Sequence, residues 1–121
     1  MKVQRIIDRA AALGLPIAEN EFKKTKETPL PNPPYLIYYE DESTTGGGDN
    51  IALYKKRKTV LELYTTKKCD EALEKKIEQE VLHDIGYGKY QALIQSEELV
   101  QTAWDFVITE KIPKGERQKN G

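Results

Sequence analysis

The stretch Pro33-Pro34-Tyr35-Leu36-Ile37-Tyr38-Tyr39-Glu40 decides how the rest of the chain is read. It is the densest run of β-formers in the sequence, and aromatic and branched side chains suit a pleated, packed surface. Neither proline can donate to a ladder, so Pro33 and Pro34 lie outside the paired region or on an edge and fix the start of the strand. Alternation sends Tyr35, Ile37 and Tyr39 to one face and Leu36 and Tyr38 to the other. A strand that is apolar on both sides calls for cover on both sides.

Upstream, Val3, Ile6, Ile7, Ala10 and Leu13 fall on one stripe at helical spacing, predicting a helix over 1–13. Gly14 is placed for the left-handed residue after the helix, and Pro16 prevents continuation. From Pro16 to Pro33 no periodicity emerges. Phe22 is the main buried candidate there, with Leu15 and Ile17, and the lysines from 23 to 26 read as a solvated loop. Pro29, Pro31, Pro33 and Pro34 make a stiff lead-in to the strand.

Downstream, residues 40–50 read as a polar, mobile loop with Gly46-Gly47-Gly48 at its tip. These glycines are no phosphate cradle, because no helix or lysine–serine pair follows them. Residues 51–66 read as two strands joined near Lys55-Lys56-Arg57-Lys58, the second carrying Val60, Leu61, Leu63 and Tyr64. Asp70 is an N-cap, and Leu73, Ile77, Val81 and Ile85, with Leu82 beside them, predict a helix that Gly86 terminates. The last strand pair turns at Ser96-Glu97-Glu98. In its second strand Val100, Trp104, Phe106, Ile108 and Ile112 are assigned one face, and Pro113 ends it.

The expected fold is therefore α+β: a mainly antiparallel sheet of about five strands with two helices packed on it, in the order α-β-β-β-α-β-β. Residues 1–113 form the domain, and the polar residues 114–121 form a flexible tail.

Composition narrows the function. With 121 residues, 38% hydrophobic and 32% charged, one modest core is expected. A net charge of −1 argues against a general nucleic-acid binder. The lone Cys69 cannot form an internal disulfide, and the sequence has neither an apolar run long enough for a bilayer nor a signal peptide, so the cytosol is the expected compartment. His83 and Asp84 are helical neighbours pointing apart, Cys69 has lysines beside it but no base, and metal, nucleophile-turn and dinucleotide spacings are missing. No catalytic residue, cofactor or metal is assigned. The apolar and aromatic surplus of Tyr35, Tyr38, Tyr39, Val60 and Tyr64, with the protrusions Gly46, Gly47, Gly48, Lys55, Lys56 and Arg57, is the candidate subunit interface.

Gly14-Leu15-Pro16-Ile17-Ala18, then Glu21-Phe22, then Pro33-Pro34-Tyr35-Leu36-Ile37-Tyr38-Tyr39 resembles small tail-region proteins of long, non-contractile-tailed phages and prophages of Gram-positive bacteria. The strand Glu62-Leu63-Tyr64-Thr65 before an acidic-capped helix is similar too. The resemblance covers most of residues 1–112 and rests on structural motifs. The element order also resembles the tail terminator, or tail-to-head joining, class. That resemblance implies a ring, with six copies favoured, that caps the tail tube and contacts the tube protein and a head-completion protein. It implies a virion component assembled in the host cytoplasm, with no enzymatic activity and no cofactor. Alternatives are a head-completion or neck protein, and, from other classes, a small nucleic-acid-binding domain using Lys55–Lys58 or a small enzyme around Cys69 and His83.

Overall fold

A computed structural model describes residues 1–25, 27–48, 51–66 and 68–113. The elements are α1 (Val3–Ala11), β1 (Ile17–Glu19), β2 (Tyr35–Gly48), β3 (Ile51–Thr66), α2 (Glu71–Glu80), β4 (Gly88–Ile94), a 3-10 turn (Gln95–Glu97) and β5 (Leu99–Lys111). They form one five-stranded sheet in the order β1-β2-β3-β5-β4. All pairings are antiparallel except β1 with β2. The fold class and the element order agree with expectation. The bounds of several strands do not.

Three corrections have physical reasons. The polar segment 40–48 is not a loop: it continues β2 to Gly48, and residues 49 and 50 lie outside the described residues. The segment 51–66 is one strand rather than two, because Lys55–Lys58 are hydrogen-bonded to strands on both sides. Opposite charges face each other there: Glu42 is opposite Lys58, Glu110 is opposite Lys55, and such cross-strand pairs support a strand that local propensity would end. Helix α2 stops at Glu80, well before Gly86. Arg9 of α1 donates to the carbonyl of Val81 (3.2 Å) and pairs with Asp84 (2.7 Å), so a cation from another element satisfies this helix end.

The short strand β1 lies in the segment after Pro16, where the sequence shows no periodicity. After Gly14, at φ +83°, Pro16 accepts from the Leu36 amide (2.8 Å) and Ile17–Glu19 run parallel to Leu36–Tyr38. Asn20, at φ +66°, then turns the chain back toward the lead-in. The expected flexible tail, 114–121, lies outside the described residues.

Both helices pack on the same face of the sheet. Val3, Ile6, Ile7 and Ala10 of α1 join Ile77 of α2 and Val81 and Leu82 after it against Leu36, Leu61, Leu63, Trp104, Phe106 and Ile108. The expected contact between the Trp104 face and the Leu73–Ile77–Val81 stripe is present. Asp70 caps α2 by accepting from the Leu73 amide (3.0 Å), as its position predicts. The same core has a polar margin between α2 and β4. Trp104 Nε1 donates to Glu78 (3.0 Å), Lys89 pairs with Glu78 (2.7 Å) and Glu74 (2.9 Å), and Gln91 donates to Glu74 and Thr102 (3.0 Å each). Burial pushes Glu78 up, but the bonds from Lys89 and Trp104 outweigh it and hold its carboxyl below the ordinary range.

Candidate interaction surface

Among the described residues, no helix lies over the opposite face of the sheet. By register it carries Tyr35, Ile37 and Tyr39 of β2; Val60, Glu62 and Tyr64 of β3; Gln101, Ala103 and Asp105 of β5; and Tyr90 and Ala92 of β4. Its centre is nevertheless buried, with Val60, Glu62 and Ala103 almost inaccessible. The cover comes from large side chains lying across the strands. Tyr35 stacks on Tyr64 with ring centroids 5.0 Å apart, and Phe22, from the segment after β1, meets Tyr35 edge-on at 5.3 Å. Aromatic pairs in these geometries add to area burial.

Glu62 sits in the middle of this layer, 6% exposed. Tyr64 donates its hydroxyl to one carboxyl oxygen (3.0 Å), and Gln101 Nε2 donates to the other. Gln101 also donates to the Tyr64 hydroxyl (3.1 Å), closing a three-membered polar ring. Burial raises the Glu62 carboxyl above its ordinary range, because the two bonds only partly offset the lost hydration. Tyr64 is raised strongly, first by burial and then by the neighbouring Glu62 charge, so its phenol stays protonated and donating.

Beyond this layer β2 and β3 leave the body as a hairpin arm. Arg57 marks its root: its guanidinium meets Glu40 (2.9 Å) and Glu110 (3.2 Å), and Glu110 also accepts from the Val3 amide at the start of α1 (2.9 Å). The arm is therefore tied to the helix layer at Arg57. From there to Gly48 and Ile51 it projects by roughly 15–20 Å. Strand β5 supports it as far as the Tyr54–Lys111 pair, and the Ile112 amide bonds the Leu53 carbonyl (3.0 Å). At the tip a register shift separates Gly46 from Gly47, and the Tyr54 ring lies across Gly46. A methyl group on Gly46 would sit 2.6 Å from that ring, so any larger residue there would push the half-exposed ring aside.

The structure sorts the candidate interface residues by face. Tyr35, Tyr39, Val60 and Tyr64 share the uncovered face, whereas Tyr38 points to the helix side and packs against the core. Gly46, Gly47 and Gly48 form the arm tip. Lys55, Lys56 and Arg57 do not form one basic patch. Alternation splits them between faces, Arg57 is held by two carboxylates, and Lys58 lies 3.7 Å from Asp41. Sequence reasoning missed Glu62 and Gln101. The available signal was a lone carboxylate inside the apolar run Val60-Leu61-Glu62-Leu63-Tyr64.

The residues weighed for chemistry stay apart. His83 is exposed, and Asp84 is engaged by Arg9, whose guanidinium holds its carboxyl down at about 2. The exposed Cys69 touches the Gln91 side-chain oxygen at 3.4 Å. Among the described residues no cluster of acidic, histidine or cysteine side chains is placed to hold a metal ion, and no helix is long and apolar enough to cross a membrane. Comparison with known proteins brings no match, either to a protein-family model or to a curated sequence.

Proposed function

We propose that this chain is a morphogenesis subunit of a long-tailed phage or prophage, a tail terminator or head–tail joining protein that caps the tail tube and connects it to the head. The observation that carries the reading is the hairpin arm. A 14-residue and a 16-residue strand run on past Arg57 to Gly48 and Ile51, and near their end Tyr54 is 38% exposed. A monomeric domain gains little from such a projection, which adds strand edges and exposed apolar surface without adding core. An assembly subunit uses it to reach a neighbour. The sheet face without helices supplies the broad, aromatic second surface that such contacts need. The sequence resemblance supplies the setting of a phage tail, and with it the tube protein, a head-completion protein and a ring of copies as partners.

The test is made on particles. Deleting the gene from an inducible prophage should give tails of irregular length or heads and tails that fail to join, visible by negative-stain microscopy. Normal tails joined to heads would refute the assignment. The acidic strands flanking Arg57 and Lys58 disfavour the nucleic-acid reading, since these two cations already have carboxylate partners.

A further inference from the structure

The arm tip and a groove elsewhere on the sheet complement each other, and no single copy can bring them together. The groove, of roughly 410 Å³, lies at the start of β2 and is lined by Phe22, Leu30, Pro31, Tyr35, Ile37 and Glu97, with Pro33 and Leu99 completing its wall. Its walls are apolar and aromatic, Leu30 is 54% exposed, and the Glu97 carboxylate lines it. Glu98 and Lys68 border the adjoining hollow. At the far end of the sheet, Tyr54 is 38% exposed although it is the largest apolar group of the tip. Alternation puts Lys56 on the same side of the arm as Tyr54, roughly 7 Å further along. Tyr35 pairs with Tyr64, and Tyr64 is ten residues along β3 from Tyr54, a span of roughly 33 Å. A straight strand cannot fold back over that distance, so a copy cannot fill its own groove.

We infer that the groove is the seat for the arm tip of a second copy of this chain, with Tyr54 entering between Phe22, Leu30 and Tyr35 and Lys56 meeting Glu97. This rests on reading the chain as an assembly subunit, and it names the two patches of the contact. Gly46 gives it a further physical basis. Because the ring already lies against the arm backbone, docking it freezes little additional side-chain freedom. Tyrosine is also the residue type that anchors interfaces, burying its ring while its hydroxyl keeps a polar partner. Tip into groove is a head-to-tail contact between unlike patches, which makes rings when the rotation closes and filaments when it does not.

The test uses the full chain with Cys69→Ser to remove the background thiol. One preparation carries Thr44→Cys, on the tip face beside Tyr54, and the other carries Leu30→Cys at the groove. Mixed at millimolar concentration under mild oxidation, the two should form a disulfide between copies, and adding Tyr54→Ala should abolish it. A charge exchange gives an independent arm. Glu97→Lys or Lys56→Glu alone should weaken self-association by about tenfold, and the two together should restore it. The absence of a disulfide, one that survives Tyr54→Ala, or a chain monomeric at millimolar concentration would overturn the inference. Cross-linking that succeeds while gene deletion leaves particles normal would overturn the tail assignment and keep the docking. Malformed particles on deletion, with failed cross-linking, would do the reverse.

Discussion

Replacing Trp104 tests the helix-covered core most directly. Its side chain is fully buried in mid β5, against the cluster that joins α1 and α2 to the sheet. Truncating a buried tryptophan to alanine costs roughly 3–5 kcal/mol, a transfer term plus the cavity left behind. Trp104 also donates to Glu78 (3.0 Å), and Lys89 sits 5.7 Å from its ring centroid. Glu78 keeps its pairing with Lys89 and is partly solvated, so losing the indole N–H adds only about 1 kcal/mol. Trp104→Ala should therefore lose about 4–6 kcal/mol, a large share of the roughly 5–15 kcal/mol that holds a domain of this size together. Trp104→Phe keeps most of the volume and removes the donor, and should lose about 1.5–2.5 kcal/mol. Urea melts followed by far-UV circular dichroism measure both, since the chain has a single tryptophan and its fluorescence leaves with it. Adding Glu78→Gln to Trp104→Phe should recover about 1 kcal/mol as a coupling term. A loss below about 1 kcal/mol for Trp104→Ala would refute the assignment of this face to the core, and equal losses for the two substitutions would refute the partition between packing and hydrogen bonding.

Three further outcomes follow from named contacts. The raised Glu62 carboxyl means that the folded state binds a proton more readily than the unfolded chain, so stability should fall as pH rises from the ordinary glutamate range through the folded value and then level off. Glu62→Gln should flatten that dependence and leave the protein at least as stable at pH 7; an unchanged thermal-melt profile between about pH 4 and 7 would contradict it. Asp84 behaves in the opposite sense: its contribution, complete above its ordinary value, should disappear as pH falls to about 2, and Arg9→Ala should remove this acid sensitivity and increase hydrogen exchange near Val81. Asp70→Ala should cost about 1 kcal/mol and fray the first turn of α2, seen as lost protection of the Leu73 amide; unchanged exchange there would show that the cap does not hold that turn.

The parts legible in the sequence are those whose cause lies within one turn or one strand. The Tyr35–Tyr39 strand, the α1 stripe, the left-handed Gly14 and the Asp70 cap each depend on neighbours a few residues away. The arm was illegible because its cause is not local. Glu40, Asp41, Glu42 and the glycines read as loop, and Lys55–Lys58 read as a turn, yet each run satisfies the other across the ladder and β5 brings Glu110 to the same place. The end of α2 was misplaced for the same kind of reason, since the cation that satisfies it stands on α1, 72 residues earlier. The candidate surface divides along the same line. Period-two alternation alone places Tyr35 and Tyr39 together and sets Tyr38 apart, so half of that face was readable. The ring that closes over Glu62 needs Gln101, 39 residues away on a strand whose neighbour in the sheet is fixed only by topology. A carboxylate between Leu61 and Leu63 looks solvent-facing when read alone. In the folded sheet it is buried on the face opposite the helices, where Tyr64 and Gln101 hydrogen-bond its two oxygens in place of the water a solvent-facing carboxylate would have.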